Sequence, residues 1–179
     1  LLFDYKGEFS DIQNNHWLAL FDVDRSCILD PLTQPLPFTP FKDFTERSIN
    51  EINLYSTEMS SALCSIDRVS ASANMNNRLS EAIVEAYKST NGAPISFELM
   101  LKCYQSRMKD ANNDDSISSV LKQLVNAHIF ESEDKVSLID DSYIIKMDGY
   151  PKDGPIAKAI VYFLMSKLNN IYELWINKQ

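Results

Sequence analysis

From Thr45 to Phe130 apolar residues fall at helical spacing four times in succession, and each run is closed by its own stop signal, which commits the middle of the chain to packed helices. The first run starts near Thr45 with Thr-Glu-Arg-Ser, carries Ile49, Ile52, Met59, Leu63 and Ile66, and is expected to end between Asp67 and Ser72. Met75 to Ser89 follows with Leu79, Ile83 and Ala86 or Tyr87 on one face, and Asn91, Gly92 and Pro94 stop it. Ser96 with Glu98 opens a third, SFELMLKCYQSRM. The polar stretch KDANNDDS is then a loop whose Asp115 or Ser116 caps a fourth, ISSVLKQLVNAHIF. Four helices joined by short loops predict a bundle.

The flanks read differently. LLF, at the start of LLFDYKGEF, is apolar on both faces, so residues 1–5 are expected to form a fully buried strand with Asp4 at its carboxyl edge. HWLALFDV reads as a helical turn and CILDP as a short strand. Pro31, Pro35, Pro37 and Pro40 forbid helix interior in PLTQPLPFTPF, and Leu36, Phe38 and Phe41 within it predict a packed loop. After the bundle, KVSLI and SYIIKM are short strand candidates. Ile156, Ile160, Phe163, Leu164, Leu168, Ile171 and Trp175 then mark a final amphipathic helix. A strand leading through DGYPKDG into a helix is an α/β unit.

The expected fold is therefore α/β but dominated by helices, with short parallel-sheet strands at both ends enclosing an inserted helical subdomain. The segments are 1–44 (strand and Pro-rich loop), 45–130 (helical insertion) and 131–179 (short strands and a long helix). Only four glycines in 179 residues agree with helix over Gly-rich β structure.

Composition narrows the function classes. A net charge of -8 disfavours a self-contained nucleic-acid binder, because phosphate contacts draw on clustered Lys and Arg. Cys27, Cys64 and Cys103 are too scattered for a disulfide framework or a zinc site and read as buried, reduced thiols of a cytoplasmic protein. AIVYFLM, the longest apolar run, is far short of the ~20 residues that span a bilayer, and no leader pattern is visible, so no membrane partner is expected. His16 and His128 have no Cys or carboxylate at ligand spacing, and no metal site is expected.

Two strand ends carry the candidate chemistry. The tetrad Asp4, Lys6, Gly7 and Glu8 lies where functional residues collect in open parallel sheets; its carboxylates suit a metal-bound or attacking water and its lysine an anion. Against this stands an ordinary solvated loop. KMDGYPKDG, before a helix N-terminus, is the second; its plain reading is a βα turn in which Asp153 caps the helix. VLKQLVNAHIFESEDKVSLI has the outline of a winged helix, yet its recognition helix holds only Lys122, and its hairpin carries Glu131, Glu133 and Asp134. No GxxxxGK[ST] loop and no apolar strand ending in Asp-Glu is present.

LLFDYKGEF, with PLPFTPF further on and SYIIKMDGYPKDGPIAKAIVYFLMSKLNNIY near the end, resembles the HerA/FtsK class of hexameric P-loop ATPases. Within it, the chain looks like the DptH-type ATPase subunit of phosphorothioation-dependent DNA restriction systems. In such enzymes the strand after the phosphate-loop helix ends in Asp, a Lys and Gly-Glu-Phe or Gly-Glu-Tyr, matched here by Asp4, Lys6, Gly7, Glu8 and Phe9; Pro37, Phe38, Pro40 and Phe41 match the Pro-rich segment that follows. The resemblance implies an internal fragment of a DNA-translocating or helicase-type motor. Asp4 and Glu8 would be its catalytic carboxylates, Lys6 and Gly7 would lie near phosphate, and the parent would use ATP and Mg2+. The implied partners are other restriction subunits, DNA through the parent motor and a homo-oligomeric ring. Lacking both nucleotide elements, the fragment alone is expected to bind no cofactor and to be inactive. The competing expectation is a non-enzymatic helical domain whose acidic surface binds a protein.

Overall fold

The computed structural model describes residues 1–11, 27–66, 71–108 and 114–176, and the side chains up to Tyr172. The HWLALFDV turn and His16 lie outside them. The chain divides into two compact units, one formed by residues 1–40 and 128–179 and the other by Phe41–Ala127. The fold is helix-rich, with a small parallel sheet built from the flanks. Among the described residues no helix is long and apolar enough to cross a membrane.

The first unit is built on three strands, β1 (Leu2–Asp4), β2 (Ile28–Leu29) and β3 (Ile144–Lys146), followed by a long helix, Pro155–Ile176. The sheet order is β1-β3-β2 and both pairings are parallel, with Leu2 opposite Ile144, Asp4 opposite Lys146 and Leu29 opposite Ile145. Central β3 buries Ile144 and Ile145 on opposite faces, as expected of a covered parallel sheet. β1 departs from the expectation of full burial: Leu1 is 41% and Leu2 38% exposed. Its place at the end of the order explains this, because β3 covers it on one side only.

The proline-rich segment is packed as its apolar residues predict. Leu36 and Phe38 are buried, and the Phe38 ring meets Tyr143 edge-on at 5.7 Å. Its backbone is held by residues after the bundle: Leu36 donates to Ile129 O (2.6 Å), while Glu131 and Lys135 donate to Leu36 O and Pro37 O (3.0 Å each). The Asp134 carboxylate accepts from Thr39 N (2.9 Å) and from Lys167 Nζ (2.7 Å). These bonds explain why the strand expected at KVSLI does not form. The backbone there serves the proline segment and then turns, with Ile139 N donating to Ser137 Oγ at 3.4 Å. Without it the wing hairpin of the winged-helix reading is also gone, and Phe130 bridges Leu36 in parallel instead.

The second unit contains α1 (Ile49–Ile66), α2 (Ala73–Ser89), α3 (Phe97–Ser106) and α4 (Ser116–Ala127); the helix of the first unit is α5. Each of the four packs on the next in sequence. α1 begins four residues later than Thr45 because Thr45 closes a turn on Asp43, donating to its Oδ1 from both N and Oγ1 (2.8 Å each). The cap is Ser48, which exchanges bonds with Glu51 in a capping box (Ser48 N to Glu51 Oε2 3.0 Å, Glu51 N to Ser48 Oγ 3.4 Å). Ser72 and Ser96 cap α2 and α3 through Met75 N and Leu99 N. α2 stops where predicted: Asn91 (φ 54°) and Gly92 (φ 86°) turn left-handed and Gly92 N returns to Tyr87 O at 2.8 Å. Met59, Leu63, Leu79, Ile83, Met100 and Leu121 fill the core beside a cluster of Phe44, Tyr55 and Tyr87.

Candidate functional site

Parallel pairing turns all three strands the same way, so the loops after Asp4, Leu29 and Lys146 leave from one edge of the sheet. That edge is where ligands bind in open α/β sheets. The Asp4 side chain turns inward there. Its residue is 2% exposed, and its Oδ2 accepts from Phe9 N (3.0 Å), Ser10 N (2.8 Å) and Ser10 Oγ (2.8 Å), while Oδ1 accepts from Lys6 N (3.3 Å). Burial pushes the carboxyl up, but these bonds together outweigh burial and hold it below its ordinary value of 3.8.

The loop closes around Gly7, whose φ of +72° suits a residue without a side chain. A Cβ there would stand 3.0 Å from Asp148 Oδ2, so the loop after β1 lies against the loop after β3. Lys6 and Glu8 point outward, 3.7 Å apart, with side chains 69% and 65% exposed. A pair so exposed contributes little to stability.

Sequence reasoning placed the tetrad at this edge but missed what the neighbouring strands add. Asp30, after β2, lies 3.4 Å from Lys146 Nζ and caps its own turn by accepting from Leu32 N at 3.0 Å. Lys152 reaches over the Tyr5 ring at 5.8 Å. Burial and then the Asp30 charge push the Tyr150 hydroxyl up. Pairing of β3 with β1 sets Lys146 opposite Asp4 and the loop after β3 against the tetrad, while Asp30 meets Lys146 from the far side of β3. α5 begins at Pro155, and the Gly154 carbonyl takes the first helical bond, from Lys158 N at 3.2 Å. Proline at the first helical position fixes that start.

Among the described residues no group of three His, Cys, Asp or Glu is placed to hold a metal ion. Two of the thiols are poor nucleophiles: burial and then the Asp115 charge push Cys64 up to about 11, and burial raises Cys103. The second unit has a polar groove between Thr57 of α1 and Glu81, Glu85 and Lys88 of α2, where Arg107 pairs with both glutamates. Compared with protein-family models, with curated proteins and with solved structures, the chain matches none.

Proposed function

We propose that the chain is an internal part of a HerA/FtsK-type motor ATPase of a bacterial DNA restriction or defence system. In this reading the first unit supplies one wall of an ATP site at the carboxyl edge of its sheet, and Phe41–Ala127 is an inserted helical part for contact with other subunits. The observation that carries it is the position of the DYKGEF loop: it follows a strand of an all-parallel sheet and presents Lys6 and Glu8 outward from the edge that takes ligands in such sheets.

The side chains fit one half of a nucleotide site. Lys6 is a mobile point charge suited to a phosphate oxygen, and Glu8 is a carboxylate able to accept a hydrogen bond from an attacking water. They do not form a cage for Mg2+, so the remaining metal and phosphate contacts would come from elsewhere in the parent. Mg2+ would neutralise phosphate charge there; this chain's residues would orient water and bind an anion.

ATP turnover of the full-length parent is the test. Glu8→Gln is expected to lower kcat by about a hundredfold or more, in the range of lost general-base assistance. Unchanged turnover would remove Glu8 from the chemistry.

A second reading, a non-enzymatic helical interaction domain, is favoured by the net charge of -8 and by the Arg107 groove. It predicts that a stable partner complex of the parent survives Glu8→Gln and weakens on Arg107→Glu, as read by co-purification and calorimetry.

A further inference from the structure

The DYKGEF loop holds two kinds of charged residue. Lys6 and Glu8 lie in solvent, whereas the Asp4 carboxylate is enclosed. Three donors converge on Asp4 Oδ2 within 3.0 Å, and Lys6 N takes Oδ1 at 3.3 Å. Oδ2, so occupied, has no lone pair left for a metal-bound or attacking water, and Oδ1 already takes one bond within an enclosed site. The same bonds tie residues 6, 9 and 10 to the end of β1, across the turn that Gly7 makes possible.

We propose that Asp4 is a positioning residue: its buried carboxylate gathers the amides of Lys6, Phe9 and Ser10 and the Ser10 hydroxyl around one anion, and so fixes how Lys6 and Glu8 leave the sheet edge. This rests on the functional reading above for the roles of Lys6 and Glu8, and it gives Asp4 no contact with the nucleotide. Ser10 is then the second member of the device, because among the described residues its hydroxyl is the side-chain donor to the Asp4 carboxylate, at 2.8 Å.

Asparagine separates the alternatives. With its carbonyl oxygen in the Oδ2 place, Asp4→Asn keeps the three shorter bonds and loses only the longest, whereas Asp4→Ala loses all four. Two measurements are made. In the chain itself, amide hydrogen exchange at Phe9 and Ser10 is expected to quicken by roughly tenfold or more in Asp4→Ala, as loss of a charge-assisted hydrogen bond implies, and to change little in Asp4→Asn. In the full-length parent, Asp4→Asn is expected to keep kcat within about tenfold of the unaltered enzyme while Asp4→Ala does not. Ser10→Ala is expected to lower kcat with KM little changed, and Ser10→Thr, which restores the hydroxyl, to recover it.

Unchanged exchange in Asp4→Ala overturns the proposal. So does an Asp4→Asn parent as inactive as Asp4→Ala with Phe9 and Ser10 still protected, because Asp4 would then act on the ligand itself. If Asp4→Ala disturbs folding more widely, Ser10→Ala, which keeps the carboxylate, decides by the same exchange readout. The exchange arm needs no activity, so a parent that hydrolyses no ATP removes the ATPase reading and leaves the assignment of Asp4 to be decided there.

Discussion

At the scale of single residues, two glycines with left-handed backbones differ in what a side chain would meet. At Gly92 a Cβ would stand 2.5 Å from the Phe44 carbonyl oxygen, and Phe44 N is itself bonded to Gly92 O at 2.7 Å, so the backbone cannot withdraw without breaking that bond. At Gly7 the obstacle is the far end of the Asp148 side chain, which can rotate away. Gly7→Ala is therefore expected to cost about 1 kcal/mol of backbone strain, and Gly92→Ala about 3 kcal/mol. Urea denaturation of the two variants measures the difference; equal costs would contradict the packing of Phe44 on the α2 stop. Asp4 makes a pH prediction. Its folded carboxyl lies below 3.8, so its contribution is complete above that value and is lost as pH falls through the lower folded value. Protection of the Phe9 and Ser10 amides is expected to persist at pH 5 and to fade only below about 3.8, by exchange against pH.

At the scale of elements, the helices of the second unit are set by their ends and by one half-buried anchor. Asp115 does two jobs at the start of α4. Its Oδ1 accepts from Ser118 N at 2.9 Å, and its Oδ2 accepts from the Tyr104 hydroxyl at 2.6 Å and from Arg78 at 3.4 Å, tying α2 and α3 to the α4 cap. Asp115→Ala removes all three bonds and leaves the buried Tyr104 hydroxyl without this partner. It is expected to cost about 3 kcal/mol, against about 1 kcal/mol for the exposed Ser48→Ala at the α1 capping box. Thermal unfolding followed by circular dichroism tests the ranking. The helix boundaries show what was legible here: Ser96, Asn91 and Gly92 acted as local signals say, because caps and stops are decided within one turn of chain. Thr45 misled because Asp43, two residues earlier, captured both its donors, a local competition that the helical spacing does not display.

At the scale of the molecule, the chain enters the helical unit at Phe41 and leaves it at Ala127. The unit has its own buried core, including Met59, Leu63, Leu79, Ile83, Met100 and Leu121. Residues 41–127 alone are therefore expected to fold, with helical circular dichroism and one cooperative thermal transition. A non-cooperative melt of that segment would show that its core depends on the rest of the chain.

The amino-acid sequence alone determined the four-helix series, the α3 cap, the α2 stop and the long final helix, since each follows from contacts a few residues apart. That the proline segment packs was legible from its apolar residues, but its partners lie far along the chain. The tertiary structure decided the sheet. Strands of two or three residues carry too little pattern to choose partners, and Leu2 finds Ile144 only after the whole helical unit has intervened. That pairing made β1 an edge strand, set Lys146 opposite Asp4 and brought Asp148 against the Asp4 loop. KVSLI forms no strand: its first residue, Lys135, gives its amide to Pro37 O of the proline segment. The inward turn of Asp4 belongs with these: the sequence supplied a carboxylate at a strand end, and only the folded loop could aim four donors at it.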